Sequence, residues 1–209
     1  MKLAFIGIGR VGFALADGLQ RKGHEIIVAH DDPQSESVEK ARAKNPAFGW
    51  RPVQEAIDAA EMILLSVPFN ANREVLAPLD FRGKVLVDCT NPVGPGISHG
   101  LNSQVSGAER VQEWAANARV VKAYSVYGFE NLQNPTFPAY GVKPVMPLAG
   151  NDLPAKQQVA RLNHDLGFET LDVGDLSQAL HLEHLTLLWV KMVRRDGHHP
   201  NFTWAYLER

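Results

Sequence analysis

The chain has a single cysteine, Cys89, in 209 residues. No intrachain disulfide can form, so the fold must rest on its core, and a cytoplasmic setting is expected. Long hydrophobic runs are missing too. The most apolar stretch near the C-terminus, Leu185–Val193, is broken by Lys191 and is far short of the roughly 20 residues that a membrane span needs. The run Leu3–Ile8 is short and leads straight into a glycine motif, so it is not read as a signal peptide. Neither sign of charge dominates: 21 Lys and Arg against 23 Asp and Glu leave a formal net charge of -2. Binding to a nucleic-acid backbone needs clustered cations, so no such partner is expected. There is no low-complexity tract, no internal repeat and no linker that clearly splits the chain.

Several chemical signatures are also lacking. No Ser-Lys pair, Ser/His/Asp spacing or metal-ligand pattern stands out, so no catalytic side chain and no metal ligand is assigned. His181 and His184 lie three apart with Glu183 between them. A metal would need a third ligand, so both are read as helix-surface histidines, with Glu183 pointing elsewhere. Cys89, just after an apolar run, is read as a small buried residue rather than a nucleophile. His198 and His199 fall in a helix break and are expected in solvent.

What is present is ordinary globular composition, 45% hydrophobic, in a pattern that alternates strands with helices. Lys2–Ile6, Glu25–His30, Met62–Val67, Lys84–Asp88 and Arg119–Tyr124 read as buried strands, with Phe48–Trp50 a shorter one. Val11–Lys22, stopped by Gly23, reads as a helix, as do Ser37–Lys44, Val53–Ala60 and Ser106–Ala116. Lys143–Ala149, Pro154–Leu166 and Phe168–Val173 give strand, helix, strand. A last helix runs from about Ser177 to Arg194 and is expected to resume over Phe202–Leu207. This is an α/β pattern: a Rossmann-type, doubly wound, mostly parallel sheet covered on both faces, residues 1–175, with a helical extension over 176–209.

The first apolar run ends in Gly7-Ile8-Gly9-Arg10-Val11-Gly12, a complete G-x-G-x-x-G between a strand and a helix. In that context the pattern has a mechanism. Gly7 makes the tight turn, Gly9 lets the backbone approach a pyrophosphate, and Gly12 lets helix and strand pack closely. The pyrophosphate would rest on free N–H groups at the helix N-terminus. The next strand ends at His30 and Asp31, and Asp31 stands nineteen positions past Gly12. An acidic residue near that spacing bonds the ribose hydroxyls of NAD, and no Arg stands beside it to hold the 2′-phosphate of NADP. Either NAD(H) or NADP(H) is expected as cofactor, with discrimination weak or leaning to NAD. As an alternative, Asp31 and Asp32 are only turn residues before Pro33.

With these residues the chain resembles the NADPH-dependent reductases of the deazaflavin coenzyme. The cytosolic domain of six-transmembrane metalloreductases and the N-terminal domain of pyrroline-carboxylate reductases are more distant relatives. The likeness runs through Gly23-His24-Glu25-Ile26-Ile27-Val28, Ser66-Val67-Pro68-Phe69 and Asp88-Cys89-Thr90-Asn91-Pro92-Val93. It continues in Val120-Val121-Lys122-Ala123-Tyr124, Ala149-Gly150-Asn151-Asp152 and Leu182-Glu183-His184-Leu185. The resemblance implies a dinucleotide-dependent reductase with a second redox substrate of deazaflavin or flavin type. The family commonly has Ser-Arg where this chain has His30-Asp31, and Phe-Asn-Thr where it has Tyr124-Ser125-Val126.

Ligands of open α/β sheets lie outside the carboxyl ends of the strands. Val67, Pro68, Phe69, Asn91 and Pro92 are therefore placed at the nicotinamide end, Phe69 as a wall and Asn91 as a hydrogen-bonding amide for the carboxamide or ribose. In a plainer role the two prolines end strands and Asn91 makes a turn. Hydride transfer between two rings is led by the cofactor, with the protein supplying alignment. Reduction of a small imine or carbonyl, or non-catalytic sensing of the dinucleotide, remain as alternative functions. The last helix carries Leu180, Leu182, Leu185, Leu187, Leu188, Trp189, Met192 and Val193, too many for one core-facing stripe. A homodimer closing over the nicotinamide pocket is expected, with a helix buried all round in one chain as the alternative.

Overall fold

The computed structural model describes residues 1–209. The chain opens with β1 (Lys2–Ile6), α1 (Arg10–Arg21), β2 (Glu25–Ala29), α2 (Glu36–Lys44), β3 (Gly49–Arg51), α3 (Val53–Ala59), β4 (Met62–Leu65) and α4 (Asn72–Leu76). It continues with β5 (Val85–Asp88), a small hairpin of β6 (Val93–Gly94) and β7 (Ser98–His99), α5 (Gly107–Trp114), β8 (Arg119–Lys122) and α6 (Phe129–Gln133). It ends with β9 (Val145–Gly150), α7 (Leu153–Leu166), β10 (Glu169–Asp172) and α8 (Ala179–Val190), which runs into a π-helical turn at Lys191–Arg195.

Eight strands form one sheet in the order β10-β9-β8-β5-β4-β1-β2-β3. The six strands from β3 to β8 run parallel. β9 joins antiparallel, with Val121 opposite Gly150, and β10 then runs parallel to β9. This is the expected Rossmann-type, mostly parallel α/β sheet. Its central strands are buried on both faces, which is why they read as unbroken apolar runs. The chain leaves β1 toward β2 on one side and later returns to β4 on the other. The crevice at the carboxyl ends of β1 and β4 is therefore the topological switch point, where open sheets bind ligands.

Local chemistry marks the helix ends. Ser106 caps α5 in a capping box with Glu109, which satisfies two otherwise unpaired N–H groups. Asp152 caps α7 by accepting from the Ala155 N–H at 2.7 Å, and Gly167 ends that helix at φ 96°, a left-handed position that suits glycine. A single hydrophobic cluster extends from Leu3 through the sheet to Leu182 and Trp189 of α8. No helix is long and apolar enough to cross a membrane.

One expected element is absent. Residues 202–207 form no helix. The segment is an irregular strap: the Val145 N–H donates to the Trp204 carbonyl at 2.9 Å, and the Trp204 N–H donates to the Tyr127 hydroxyl at 3.2 Å. Phe202 stacks on Trp189 at 6.1 Å and meets Trp204 edge-on at 5.6 Å. Backbone bonds to β9 and these aromatic contacts replace the bonds that a short helix would make, and isolated short helices are marginal in water.

The tightest approach between helix and strand is at Gly12. A Cβ there would lie 2.3 Å from the Gly7 carbonyl oxygen and 2.5 Å from Ser66 Oγ, which itself donates to that carbonyl at 2.7 Å. Gly12→Ala should therefore lower the stability of the fold by about 1–3 kcal/mol. Urea unfolding measures this, and a midpoint equal to that of the parent would show that the contact is not held.

Candidate functional site

The glycine loop is built as a cradle. Gly7 turns the chain at φ 94°, and a Cβ there would collide with the backbone of Ser66 and Val67. Gly9 is the N-cap of α1 and no side chain caps that helix. A Cβ on Gly9 would meet nothing within 4 Å, so the space above it is open to a ligand. The N-terminal N–H groups of α1 are left to face that space, where the helix dipole favours an anion. Val11 is half-buried, its side chain packed against the core.

Two clefts flank the cradle. The inner one, about 550 Å³, is lined by Gly7, Gly9, His30, Asp31, Val67 and Pro68, among others. The outer one, about 600 Å³, brings Ile8 and Arg10 of the loop opposite Lys40 and Lys44 of α2 and Phe129 of α6. Arg10 lies over the Phe129 ring at 5.5 Å. The tip of β2 is held firmly. The Trp50 indole N–H donates to the His30 carbonyl at 2.8 Å, the Asp32 N–H to His30 Nδ1 at 3.0 Å, and the Val53 N–H to Asp31 Oδ1 at 2.9 Å. Asp31 is exposed and keeps its other oxygen free of protein partners. These features fit a dinucleotide: an open glycine cradle for the pyrophosphate and an acidic residue at the ribose distance.

At the second strand end, Thr90, Asn91 and Pro92 follow β5. The Asn91 amide donates from Nδ2 to the Ser125 carbonyl at 3.2 Å, while its Oδ1 is buried without a partner. Phe69 leans on Trp114, with ring centroids 5.9 Å apart, and its Cε2 fills the space beside Gly107. It packs against α5 as well as bordering the strand ends. The loop Asn91–Gly100 carries the β6–β7 hairpin. Tyr124, just past β8, adopts φ 58° while nearly fully buried, a backbone strain that gathers at functional sites.

Beneath Asn91 lies a buried charged cluster. Lys122 Nζ meets Asp88 Oδ2 at 3.0 Å and Glu183 Oε1 at 3.2 Å, and donates to the Thr90 carbonyl. Asp88 Oδ1 accepts from the Thr90 N–H at 2.9 Å and the Thr90 hydroxyl at 2.7 Å. Glu183 also accepts from the N–H groups of Gly107 and Ala108 at 2.9 and 3.2 Å. His99 Nδ1 faces the N–H groups of Leu101 and Ser103, so its proton belongs on Nε2, which donates to Glu183 Oε2 at 2.8 Å. Burial pulls the Lys122 ammonium down, yet Asp88 and Glu183 outweigh it and hold the group above its ordinary range. Burial pushes the Glu183 carboxyl up, but Lys122, His99 and the Gly107 N–H together hold it below the usual range. Desolvation also pushes the Cys89 thiol up, as befits a buried, inert cysteine.

The structure thus gathers Gly7, Ile8, Gly9, Arg10, His30, Asp31, Val67 and Pro68 around connected clefts and sets Asn91 and Pro92 at the neighbouring strand end. The charged cluster escaped the sequence reading. His181 and His184 are exposed, whereas Glu183 between them is buried and points into the core. His184 stacks on His99 at 5.5 Å and shares a hydrogen bond with Ser103 Oγ. Lys122 carried a usable signal, a lysine following two valines in a strand read as buried.

Fold and cradle define a Rossmann domain of the dinucleotide-binding type. Residues 2–92 match the family model described as NADP oxidoreductase coenzyme F420-dependent, so the resemblance expected from the motifs is borne out over that span. A crystal structure from Arthrobacter sp. FB24, of a protein proposed to be an F420-dependent NADP-reductase, superposes with a TM-score of 0.82 at 27% identity, covering 100% of both chains. Metalloreductase STEAP3 from Rattus norvegicus is 29% identical over 89% of this chain and 36% of its own length. Glycerol-3-phosphate dehydrogenase [NAD(P)+] from Azotobacter vinelandii is 30% identical over 56% of this chain and 37% of its own. The chain spans little more than a third of these two relatives. A pyrroline-5-carboxylate reductase from Streptococcus pyogenes shares the fold, with a TM-score of 0.56 at 16% identity over 96% of this chain and 72% of that one.

Because Gly9 borders open space, Gly9→Val should leave the fold intact and remove dinucleotide binding, its side chain standing where the pyrophosphate would lie. Calorimetric titration with NADPH and NADH checks this, and an affinity equal to the parent's would sink the assignment.

Proposed function

We propose that the protein transfers hydride between NAD(P)H and a second redox carrier of the deazaflavin or flavin type. The observation that carries this reading is the open Gly9 cradle at an uncapped helix N-terminus, leading to a strand end where an amide oxygen, Asn91 Oδ1, is buried and unpartnered. The family model and the Arthrobacter protein, both described as F420-dependent, support the choice of acceptor.

In this reading the chain's own residues bind and orient. The N–H groups at the start of α1 hold the pyrophosphate. Asp31 takes the adenosine ribose with its free oxygen, and Val67 and Pro68 wall the adjoining cleft. Asn91 presents its amide oxygen to the carboxamide N–H. When bound, the nicotinamide supplies the hydride, and the acceptor takes it together with a proton from solvent. Alignment of two rings is then the protein's main contribution to rate. The Asp31 carboxylate disfavours a 2′-phosphate while Arg10 and Lys40 nearby favour one, so both coenzymes are expected to bind. Their affinities should differ by less than a hundredfold, about 2.7 kcal/mol.

The assay follows loss of reduced-nicotinamide absorbance, without oxygen, on adding a deazaflavin or a flavin. Oxidation that depends on either acceptor is expected, with both NADPH and NADH. Oxidation with a cyclic imine, and none with the deazaflavin or flavin, would overturn the reading.

Assembly belongs to the same proposal. α8 buries Leu182, Glu183, Thr186 and Trp189 within one chain, and leaves Leu188 44% exposed beside half-buried Leu180, Leu185 and Leu187. A second subunit covering that strip would shield the nicotinamide end. Sedimentation at low micromolar concentration should give twice the 23.1 kDa chain mass, and a species of single-chain mass would refute the dimer.

A further inference from the structure

Two hydrogen-bond routes converge on Asn91, and both end on α8. The first runs through the main chain. The carbonyl of Thr90, one residue before Asn91, accepts from Lys122 Nζ, and Lys122 is set by Glu183 Oε1 at 3.2 Å. The second runs through the side chain. Asn91 Nδ2 donates to the Ser125 carbonyl at 3.2 Å, and that carbonyl also accepts from Thr186 Oγ1 at 2.9 Å. The single Thr186 hydroxyl proton is shared with the Leu182 carbonyl at 3.0 Å. Glu183 and Thr186 lie three apart, and both are buried. That spacing puts them on one face of the helix.

The consequence is a defined orientation. With Nδ2 spent on Ser125, the orientation of the Asn91 amide is set, and Oδ1 is left buried with no protein partner. A buried acceptor left unpaired costs about 1–3 kcal/mol, so a ligand N–H is the natural partner. The Ser125 carbonyl is itself fixed by Thr186, and the peptide entering Asn91 is fixed by Lys122. Both anchors are thus bonded to α8.

We infer that Glu183 and Thr186 are positioning residues for the nicotinamide half of the cofactor, a two-point clamp by which α8 aims the Asn91 amide without itself touching the ligand. The inference rests on the reading that the dinucleotide lies with its nicotinamide at Asn91. It implies that α8 governs affinity for the whole dinucleotide and leaves affinity for the ADP-ribose half alone.

The test compares binding of NADPH and NADH with binding of 2′-phospho-ADP-ribose and ADP-ribose, by calorimetry on the full chain. Thr186→Val keeps the shape and removes the hydroxyl. It should weaken the dinucleotides roughly five- to tenfold, in line with one lost hydrogen bond, and leave the fragments unchanged. Asn91→Ala should show the same split, and the double variant should be no weaker than Asn91→Ala alone. Glu183→Gln should act in the same direction, and if it fails to fold, the Thr186 and Asn91 pair decides the matter. Equal loss for dinucleotides and fragments would make Thr186 merely structural and overturn the clamp. So would no loss at all, or full additivity with Asn91→Ala. A parent protein that binds neither fragments nor dinucleotides would overturn the dinucleotide reading itself, a separate and distinguishable failure.

Discussion

A lysine ammonium with no access to water organises the upper half of this molecule. Lys122 is fully buried, at the end of β8, with Asp88 and Glu183 on either side and the Thr90 carbonyl above. Taking such a charge out of solvent costs several kcal/mol, and the cost is offset only where partners are close and every remaining donor and acceptor is met. Here two carboxylates surround one ammonium, and the extra negative charge is met by N–H groups at the start of α5 and by the Nε2 proton of His99. The result ties β5, β8, the β6–β7 hairpin, α5 and α8 to one point. An apolar cluster of the same volume would match its stability, but it would not fix the direction of the Thr90 carbonyl or of the amide beyond it.

The second constraint, at the carboxyl end of β1, is steric rather than electrostatic. Gly7 and Gly12 let α1 lie so close to the end of β1 that the Ser66 hydroxyl of the neighbouring strand bonds the Gly7 carbonyl. That closeness leaves the first N–H groups of α1 at the mouth of the crevice. In the proposed reading the two constraints serve different halves of one dinucleotide, glycine geometry the phosphates and the buried charges the ring end.

Much of this was legible in the sequence, and the reasons differ by element. The glycine loop was legible because its spacing carries a mechanism and its flanks were a clean apolar strand and a helix. The parallel core was legible because strands covered on both faces lose the polar alternation of exposed sheets. The direction of β9 was not, since a buried strand reads the same either way. The strap at 202–207 was misread as helix, although Phe202, Trp204 and Tyr206 alternate with period two, the signature of extended chain. The charged cluster was hidden for another reason. Lys122 hints at burial only by its place in a strand, Glu183 gives no such hint, and only the fold brings them within 3.2 Å. Glu183 is further masked by the exposed histidines on either side of it, which mark that stretch of helix as surface.

The antiparallel entry of β9 has a consequence for when the molecule is finished. β9 and β10 run against the rest of the sheet, so the chain leaves β10 at the floor, where Arg119 of β8 meets Asp152, and α8 must climb from there to the rim. The carboxylate that neutralises Lys122 therefore arrives from far along the chain. The bond from His99 to Glu183 spans 84 residues and that from Ser125 to Thr186 spans 61. Contacts of such separation close late, since ordering the intervening chain comes before any gain from the contact. Until α8 docks, Lys122 has Asp88 but lacks its second carboxylate, and water must reach it. The strand end at Asn91 is therefore complete only once the last long helix of the chain has docked on it.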